Sequence, residues 1–144
     1  MESEKRNNSL RSELYRDNYL NAHKVIIAGG RDFTDYEYMS KELSKLLFNS
    51  SHFDGDSITI ISGMAKGADT LAIQYADEHQ MTKILFPANW KKYPIIAGFL
   101  RNEDMLRIAT HVIAFWDGKS SGTKHMIDIA EEKGIPVGYI NIKT

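Results

Sequence analysis

The sequence predicts one α/β domain, built on a doubly wound parallel sheet of about five strands with helices on both faces. Apolar, β-branched runs alternate with segments of helical periodicity, in the order β-α-β-α-β-α-β-α-β. The strand segments are apolar throughout, which is typical of parallel strands covered on both faces. With 144 residues, of which 42% are hydrophobic and 26% charged, the chain has the size and composition of a single globular domain.

The first strand and helix are predicted between residues 24 and 47. Residues 24–28 (KVIIA) form a continuous apolar run that ends in Gly29 and Gly30. Thr34 and Glu37 have the spacing of a capping box, which predicts a helix start. The helix behind it has an apolar stripe at helical spacing. The stripe consists of Tyr36, Met39, Leu43, Leu46 and Leu47.

The second unit follows a loop at residues 49–56 (NSSHFDGD). Residues 57–61 are predicted as a strand, and a helix is predicted to start near Lys66 and Gly67. Its apolar face is Ala68, Leu71, Ala72, Tyr75 and Ala76. Residues 82–86 are predicted as a third, short strand.

The last part of the chain begins with an irregular segment at 87–94 (PANWKKYP). A helix is predicted over about 95–109, and a polar block (RNED, 101–104) interrupts its apolar pattern. Residues 111–116 (HVIAFW) are predicted as a strand. A further helix over 123–133 is expected to stop at Gly134, as helices often do at glycine. The predicted elements end with a strand over 135–142.

Three of these strands end in polar turns that contain glycine. The carboxyl ends of parallel strands share one edge of the sheet, where open α/β sheets bind their ligands. The three turns are therefore expected to meet on one rim. They are residues 29–31, 62–67 and 117–123.

The turn after the second strand predicts an anion site. The first N–H groups of a helix have no intrahelical partner, and the helix dipole is positive there. Lys66 would add a mobile cation. Asp69 would either cap backbone N–H groups or accept a ribose hydroxyl. The alternative is a tight turn without a binding role.

The segment 119–124 opens a helix with hydroxyls, a glycine and two lysines, which suits either a second anion cradle or a simple N-cap. Arg31 would offer a planar fork to phosphate over the same rim. Arg101 and Asn102 would either join the site or belong to a solvated face. Three aromatic residues would either stack on a base or pack in the core: Trp90, Tyr93 and Trp116.

The composition argues against several classes of protein. The chain has no cysteine, and its five histidines do not show the spacing of metal ligands. The net charge is −1 and the pI about 6.5, which disfavours a nucleic-acid partner. No apolar run reaches the ~20 residues that span a bilayer, so a cytoplasmic protein is expected. Residues 1–23 form a polar extension, predicted as a short helix that is either a surface arm or a self-association element, which leaves a homo-oligomer open.

Five ordered segments resemble the SLOG superfamily, a set of Rossmann-like proteins that includes DprA/Smf and the LOG phosphoribohydrolases. The resemblance covers about residues 24–142 and favours the small single-domain bacterial and phage members. It implies one Rossmann-like domain over 24–144 and a nucleotide pocket at the rim, in which SGMAKGAD and SSGT are the two glycine loops. The segments are GGRDF (29–33), SGMAKGADTLA (62–72), FPANW (86–90), AGFLRNEDML (97–106) and FWDGKSSGTKHMI (115–127).

One departure from the LOG pattern bears on catalysis. In LOG enzymes a PGGxGTxxE motif supplies a glutamate that assists cleavage of the N-glycosidic bond, and Met126 stands at that position here. A thioether cannot perform general acid–base work. LOG-type hydrolysis is therefore not expected, although whether the protein is an enzyme stays open. The remaining candidate acids are Asp32, Asp69, Glu103 and Asp117.

The sequence thus predicts a sensor or sequestering protein for a phosphate-bearing nucleotide or nucleotide derivative, with no metal and no certain cofactor. A phage-encoded scavenger of signalling nucleotides, acting in the host cytoplasm, would be one form. The alternatives are a nucleotide N-glycosidase and a DprA-like single-stranded DNA binder. The predicted ligand-binding residues are Gly29, Gly30, Arg31, Asp32, Ser62, Gly63, Met64, Lys66, Gly67, Asp69, Arg101, Asn102, Trp116, Asp117, Ser120, Ser121, Gly122, Thr123 and Lys124.

Overall fold

The structure is a computed structural model that describes residues 23–48 and 58–142. It confirms the predicted alternation of strands and helices. The strands are β1 (His23–Gly29), β2 (Ile58–Ser62), β3 (Thr82–Leu85), β4 (His111–Trp116) and β5 (Val137–Asn141). The helices are α1 (Tyr36–Phe48), α2 (Ala68–Glu78), α3 (Ala97–Leu106) and α4 (Ser121–Glu132).

The five strands form one parallel sheet in the order β3-β2-β1-β4-β5. This order is that of a doubly wound Rossmann-like sheet, so the predicted fold class is confirmed. β1 lies at the centre, and its residues Val25, Ile26 and Ile27 are almost fully buried. From β1 the chain adds β2 and β3 on one side of the sheet, and it then crosses back to add β4 and β5 on the other side. The boundary between β1 and β4 is therefore the topological switch point.

Two apolar cores cover the faces of the sheet. Side chains alternate along a strand, so Val25 and Ile27 pack on one face while Ile26 and Ala28 pack on the other. The first core takes its helical residues from α1 and α2, and the second takes them from α3 and α4. The edge strands β3 and β5 have several exposed residues, so the prediction that all strands are buried on both faces is wrong at the edges.

The helix boundaries differ from the predictions in three places. Asp35, rather than Thr34, caps α1, because its Oδ1 accepts the N–H of Tyr38 at 3.0 Å. α3 is shorter than predicted, since the N–H of Arg107 bonds to the carbonyl of Asp104 and closes the last turn tightly. α4 starts two residues earlier than predicted, at Ser121. It ends before Gly134, whose φ of 74° explains the glycine.

The predicted N-terminal extension ends one residue too late, because His23 already belongs to β1. The predictions for residues 1–22 and for the loop at 49–56 lie outside the described residues. Within the two described ranges, no helix has the length and apolar character needed to cross a membrane.

Candidate ligand-binding cleft

A cleft of about 440 Å³ lies beyond the carboxyl ends of β1 and β4, at the switch point of the sheet. Its volume falls within the range of ~300–1,000 Å³ that is usual for small-molecule sites. The polar part of its lining comes from the turn after β1, from α2 and α3, and from the start of α4. The apolar part comes mainly from residues 90–99, with Met105 and Met126.

The glycines of the first two turns hold those turns against each other. A Cβ on Gly29 would lie 2.6 Å from both the Ala68 side chain and the Phe115 carbonyl oxygen. Gly67 has φ +79°, and a Cβ there would lie 2.2 Å from the Gly30 carbonyl oxygen. That same oxygen accepts the N–H of Ala68 at 3.1 Å. The start of α2 is therefore packed directly on the turn after β1.

The turn after β2 is stabilised by its own hydrogen bonds. The Ser62 hydroxyl donates to the carbonyl of Asp69 at 2.9 Å and accepts the N–H of Met64 at 3.2 Å. Met64 adopts a φ of 61°, which is uncommon for a residue with a side chain. Apart from Ala65, the turn residues are not part of the cleft lining, and the exposed Lys66 is among those outside it.

Asp69 is the buried carboxyl group of the cleft. Its side chain is 7% exposed, and its Oδ2 accepts the N–H of Ala65 at 3.3 Å. Burial raises the pKa of Asp69 to about 6, although the charges of Arg101 and Arg31 and the bond from Ala65 oppose this rise. Oδ1 receives no hydrogen bond within the described residues, yet it is not sealed from solvent. Asp69 therefore caps the turn and is also part of the cleft lining.

Arg101 joins α3 to the end of β2. Its Nη1 donates to the carbonyl of Gly63 at 2.7 Å, and its Nε lies 3.4 Å from Oδ1 of Asn102. Burial lowers the pKa of Arg101, while the charge of Asp69 acts in the opposite direction. A guanidinium stays protonated at physiological pH, so Arg101 brings a fixed positive charge to the lining beside the carboxyl of Asp69.

Asn102 ties α3 to the first turn of α4. It is 4% exposed, and its Nδ2 donates to the carbonyl of Gly122 at 3.3 Å and to Nδ1 of His125 at 3.1 Å. Because an amide nitrogen only donates, Nδ1 of His125 must be the unprotonated nitrogen of that ring. Burial lowers the pKa of His125, which also favours the neutral imidazole.

The start of α4 is shaped by Asp117. Its Oδ1 accepts the backbone N–H groups of Lys119 and Ser120 at 2.8 Å and the Ser120 hydroxyl at 3.1 Å. These bonds lower the pKa of Asp117. The indole N–H of Trp116 donates to the carbonyl of Ser120 at 3.2 Å. Asp117 and Trp116 hold the turn in shape and are not part of the cleft lining.

The first turn of α4 opens into the cleft. In the part of the chain that the structure describes, the N–H groups of Ser121, Gly122 and Thr123 have no acceptor, and Ser120 makes no side-chain cap to them. Such groups, at the positive end of a helix dipole, bind anions. A Cβ on Gly122 would meet nothing within 4 Å, so a ligand can approach this backbone closely.

The structure brings together about half of the residues predicted to bind a ligand. Those in the cleft lining are Gly29, Arg31, Asp32, Asp69, Arg101, Asn102, Ser120, Ser121, Gly122 and Thr123. Those outside it are Gly30, Ser62, Gly63, Met64, Lys66, Gly67, Trp116, Asp117 and Lys124. Lys124 instead forms an ion pair with Asp128 at 2.6 Å. Glu103, one of the candidate acids, is also outside the lining and is exposed.

The sequence reasoning missed Ile95, Phe99 and Met105 as lining residues. Two of them follow Pro94 in an apolar run (IIAGF) that a buried helix could equally well contain, so the signal was ambiguous. Across residues 23–48 and 58–142, no group of three or more His, Asp or Glu residues is arranged to hold a metal ion.

The strand order, with a cleft at its switch point, defines the class as a Rossmann-like α/β domain. The chain belongs to the SLOG superfamily, and the model of the YspA, cpYpsA-related SLOG family (YAcAr) matches its residues 23–93. The resemblance to SLOG proteins drawn from the sequence motifs is therefore confirmed.

A relative from a bacteriophage matches most of the chain. It is the Gene 61 protein of Mycobacterium phage D29, which is 32% identical over 120 residues. The match covers 79% of this chain and 93% of the relative. The two proteins therefore correspond over nearly the whole length of the phage protein.

Two solved structures of DNA processing protein A share the fold. The Streptococcus pneumoniae protein matches with a TM-score of 0.65 and 20% identity over 88% of this chain. The Helicobacter pylori protein, whose structure addresses its single-stranded DNA binding mode, matches with a TM-score of 0.55 and 19% identity over 88% of this chain. The chain spans about half of the S. pneumoniae protein (53%) and 69% of the H. pylori protein.

Proposed function

We propose that the protein binds a phosphate-bearing nucleotide or nucleotide derivative in the cleft and acts as a sensor or sequestering protein. The observation that carries this proposal is the first turn of α4. Its three N–H groups, from Ser121, Gly122 and Thr123, lack acceptors in the described chain and border the same cleft as Arg31 and Arg101. A phosphate group would supply acceptors to all of these donors at once.

The net charge of the cleft lining favours a ligand with one phosphate group over a ligand with several. Arg31 and Arg101 are balanced by Asp32 and Asp69 in the lining, and Lys66 lies outside it. When both aspartates are ionised, the net formal charge of these side chains is zero, so the helix terminus supplies the remaining attraction for an anion. One phosphate group fits this balance better than a triphosphate does.

The cleft gives little support for hydrolysis of the LOG type. Met126, at the position of the LOG glutamate, lines the cleft and is 1% exposed. A buried thioether neither donates nor removes a proton, so a different group would have to act as acid and base.

A nucleotide N-glycosidase is the second candidate, and Asp69 is the observation that favours it. A carboxyl group with a pKa of about 6 that lies in a cleft could protonate a leaving base near neutral pH. The bond from Ala65 and the nearby charge of Arg101 indicate that Asp69 also has a structural role, which would explain it without catalysis. Sequestration therefore remains the leading proposal.

The phage relative favours sequestration over sensing. A small domain of this family in a phage would act in the host cytoplasm, where removing a signalling nucleotide requires binding and no chemistry. We therefore infer that the ligand is released unchanged.

A thermal-shift screen of nucleoside monophosphates, cyclic nucleotides and nucleoside diphosphates tests the proposal. A bound ligand at 100 times its Kd should stabilise the fold by ~2.7 kcal/mol. Gly122→Trp, which fills the open space before the helix terminus, should abolish the shift. Lys66→Ala is the matched control and should leave it intact, because Lys66 is outside the lining. A shift that survives Gly122→Trp would contradict the site.

Two further measurements separate the alternatives. Chromatography of the bound ligand should recover it intact, whereas release of a free base that Asp69→Asn abolishes would favour the glycosidase. The DprA structures make single-stranded DNA a third test molecule. Gel-shift binding that falls steeply as salt increases would favour DNA as the ligand.

A further inference from the structure

The segment from Trp90 to Phe99 exposes several large apolar and aromatic side chains close together in the sequence. Its five large apolar or aromatic side chains are each at least one third exposed, and Ile95 reaches 84%. A patch of this kind usually marks a binding surface. Three of the five line the cleft: Trp90, Ile95 and Phe99. Tyr93 and Ile96 do not.

Trp90 is held at the cleft by a compact turn and by a glycine. The N–H of Trp90 bonds to the carbonyl of Ala88, and Asn89 accepts the N–H groups of Lys92 and Tyr93. The six-membered ring lies against Gly98, where a Cβ would be 3.5 Å from Cη2 of Trp90. The same Cβ position is 3.7 Å from Nη2 of Arg101. The indole and the guanidinium therefore meet at one glycine of α3.

Phe99 has an uncharged aromatic neighbour. Its ring centroid lies 4.4 Å from that of His125. Burial lowers the pKa of His125, and the bond from Asn102 requires an unprotonated Nδ1, so the imidazole is neutral. Phe99 thus presents an aromatic side chain to the cleft with a neutral ring as its neighbour, which suits an aromatic heterocycle better than a second phosphate.

We propose that Trp90 and Phe99, with Ile95, form the subsite for the base of the ligand, while the start of α4 receives its phosphate. This assignment rests on the proposed function and narrows it, because a sugar phosphate has no aromatic group to pack against Trp90 and Phe99. The ligand is a nucleotide whose base packs against Trp90. Stacking on an aromatic side chain should tighten binding about 5- to 100-fold.

Calorimetric titration with matched probes tests the subsite. The probes are AMP, GMP, CMP and UMP, ribose 5-phosphate and inorganic phosphate. At least one mononucleotide should bind about 5- to 100-fold more tightly than ribose 5-phosphate. Trp90→Ala should remove this difference in affinity and leave the affinity for ribose 5-phosphate unchanged. Trp90→Phe should keep most of the difference. Tyr93→Ala is the matched control, since Tyr93 is exposed on the same segment outside the lining.

Fluorescence gives an independent readout, because the chain has two tryptophans. In the wild type, the mononucleotide should quench the tryptophan emission and ribose 5-phosphate should not, and Trp90→Phe should remove the quenching because only Trp116 then emits. Two results would overturn the base subsite alone. The mononucleotides and ribose 5-phosphate could bind equally well, or Trp90→Ala could weaken both equally.

Two further outcomes, the absence of any binding and the formation of a dimer, would also overturn the base subsite. If none of the probes binds, the base subsite is overturned, and if no nucleotide in the thermal-shift screen binds either, the proposed function fails as well. If the protein forms a concentration-dependent dimer in sedimentation and Ile95→Asp disrupts it, a second copy covers the apolar segment, and the subsite is also overturned.

Discussion

Arg101 crosses directly over Gly63 and donates a hydrogen bond from Nη1 to its carbonyl oxygen at 2.7 Å. A Cβ on Gly63 would lie 2.7 Å from Cδ and 2.8 Å from Nε of Arg101. Gly63 therefore leaves the space that the side chain of Arg101, from α3, occupies. Gly63 itself is not part of the cleft lining. Two segments 38 residues apart depend on each other here.

Gly63→Ala should weaken phosphate binding and lower stability by about 1–3 kcal/mol, because the bond from Arg101 to the Gly63 carbonyl is lost. The added methyl group displaces the end of a flexible side chain, which costs less than displacing backbone. Losing a charged hydrogen-bond donor from the cleft should reduce affinity for a nucleoside monophosphate about 10-fold. Titration calorimetry and urea unfolding measure the two effects. Gly138→Ala, which meets only ordinary contacts near 4 Å, is the control, and unchanged affinity in Gly63→Ala would contradict the role of Arg101.

Gly67→Ala and Gly118→Ala should differ sharply in stability, although both glycines have positive φ (79° and 82°). Gly118 has nothing within 4 Å, so alanine there adds only the backbone strain of about 1–2 kcal/mol. At Gly67 the methyl would also lie 2.2 Å from the Gly30 carbonyl, which cannot move without disturbing β1. We expect a loss of about 4 kcal/mol or more, or failure to fold. Similar unfolding midpoints in urea for the two variants would contradict this.

The sequence was sufficient to predict the order of the strands and helices, and the edge of the sheet where the polar turns meet. Apolar strands that alternate with amphipathic helices predict a parallel sheet, and the polar turn after each of β1, β2 and β4 reaches the same edge because these strands are neighbours. The start of α4 and residues Arg31, Arg101 and Asn102 were named from sequence and line the cleft.

The sequence was not sufficient to tell a ligand-binding glycine from a packing glycine. Gly63 and Gly67 occur in the expected motif, but the atoms they accommodate come from Arg101 and Gly30, and those contacts exist only after folding. The same holds for Lys66, whose place in the turn suggested a cleft cation that the folded chain leaves outside the lining. The raised pKa of Asp69 also depends on burial, which local sequence does not reveal.

Asp69→Asn should stabilise the protein increasingly as the pH rises from 4 to 7. The folded pKa of about 6 lies above the ordinary value of 3.8, so the folded state binds more protons than the unfolded state between these values. The stability of the wild type therefore falls with rising pH across that window, and the cost is complete above pH 6. The shift corresponds to about 3 kcal/mol. Asparagine avoids this cost and can still accept the N–H of Ala65.

Urea unfolding of both proteins at several pH values measures this difference. It should be near zero at pH 4 and approach about 3 kcal/mol at pH 7. Asp104→Asn is the control, because Asp104 is exposed and paired with Arg107. Its difference from the wild type should be small, within about 1 kcal/mol, at every pH. A difference for Asp69→Asn that is flat with pH would show that the folded and unfolded pKa values are the same.

Asn102→Asp should raise the pKa of His125, because an anionic oxygen would replace the amide nitrogen that now donates to Nδ1. The wild-type imidazole has a lowered pKa from burial, against the opposing charges of Glu103 and Asp128. In the variant, a protonated imidazole would donate to the new carboxylate. The titration of His125 followed by NMR should therefore move to higher pH, whereas Glu103→Gln should move it to lower pH.

Asn102→Ala separates this electrostatic effect from the structural one. It removes the donor to the Gly122 carbonyl and to His125 together, and buried groups that lose their partners cost about 1–3 kcal/mol. Because Gly122 is in the first turn of α4, exchange should accelerate at the first hydrogen-bonded amides of that helix, residues 124–127, more than in α2. The affinity for a nucleoside monophosphate should fall as well, since the N–H groups proposed to bind the phosphate belong to the loosened turn. Uniformly faster exchange in both helices would mean that Asn102 contributes only to global stability and does not position the start of α4.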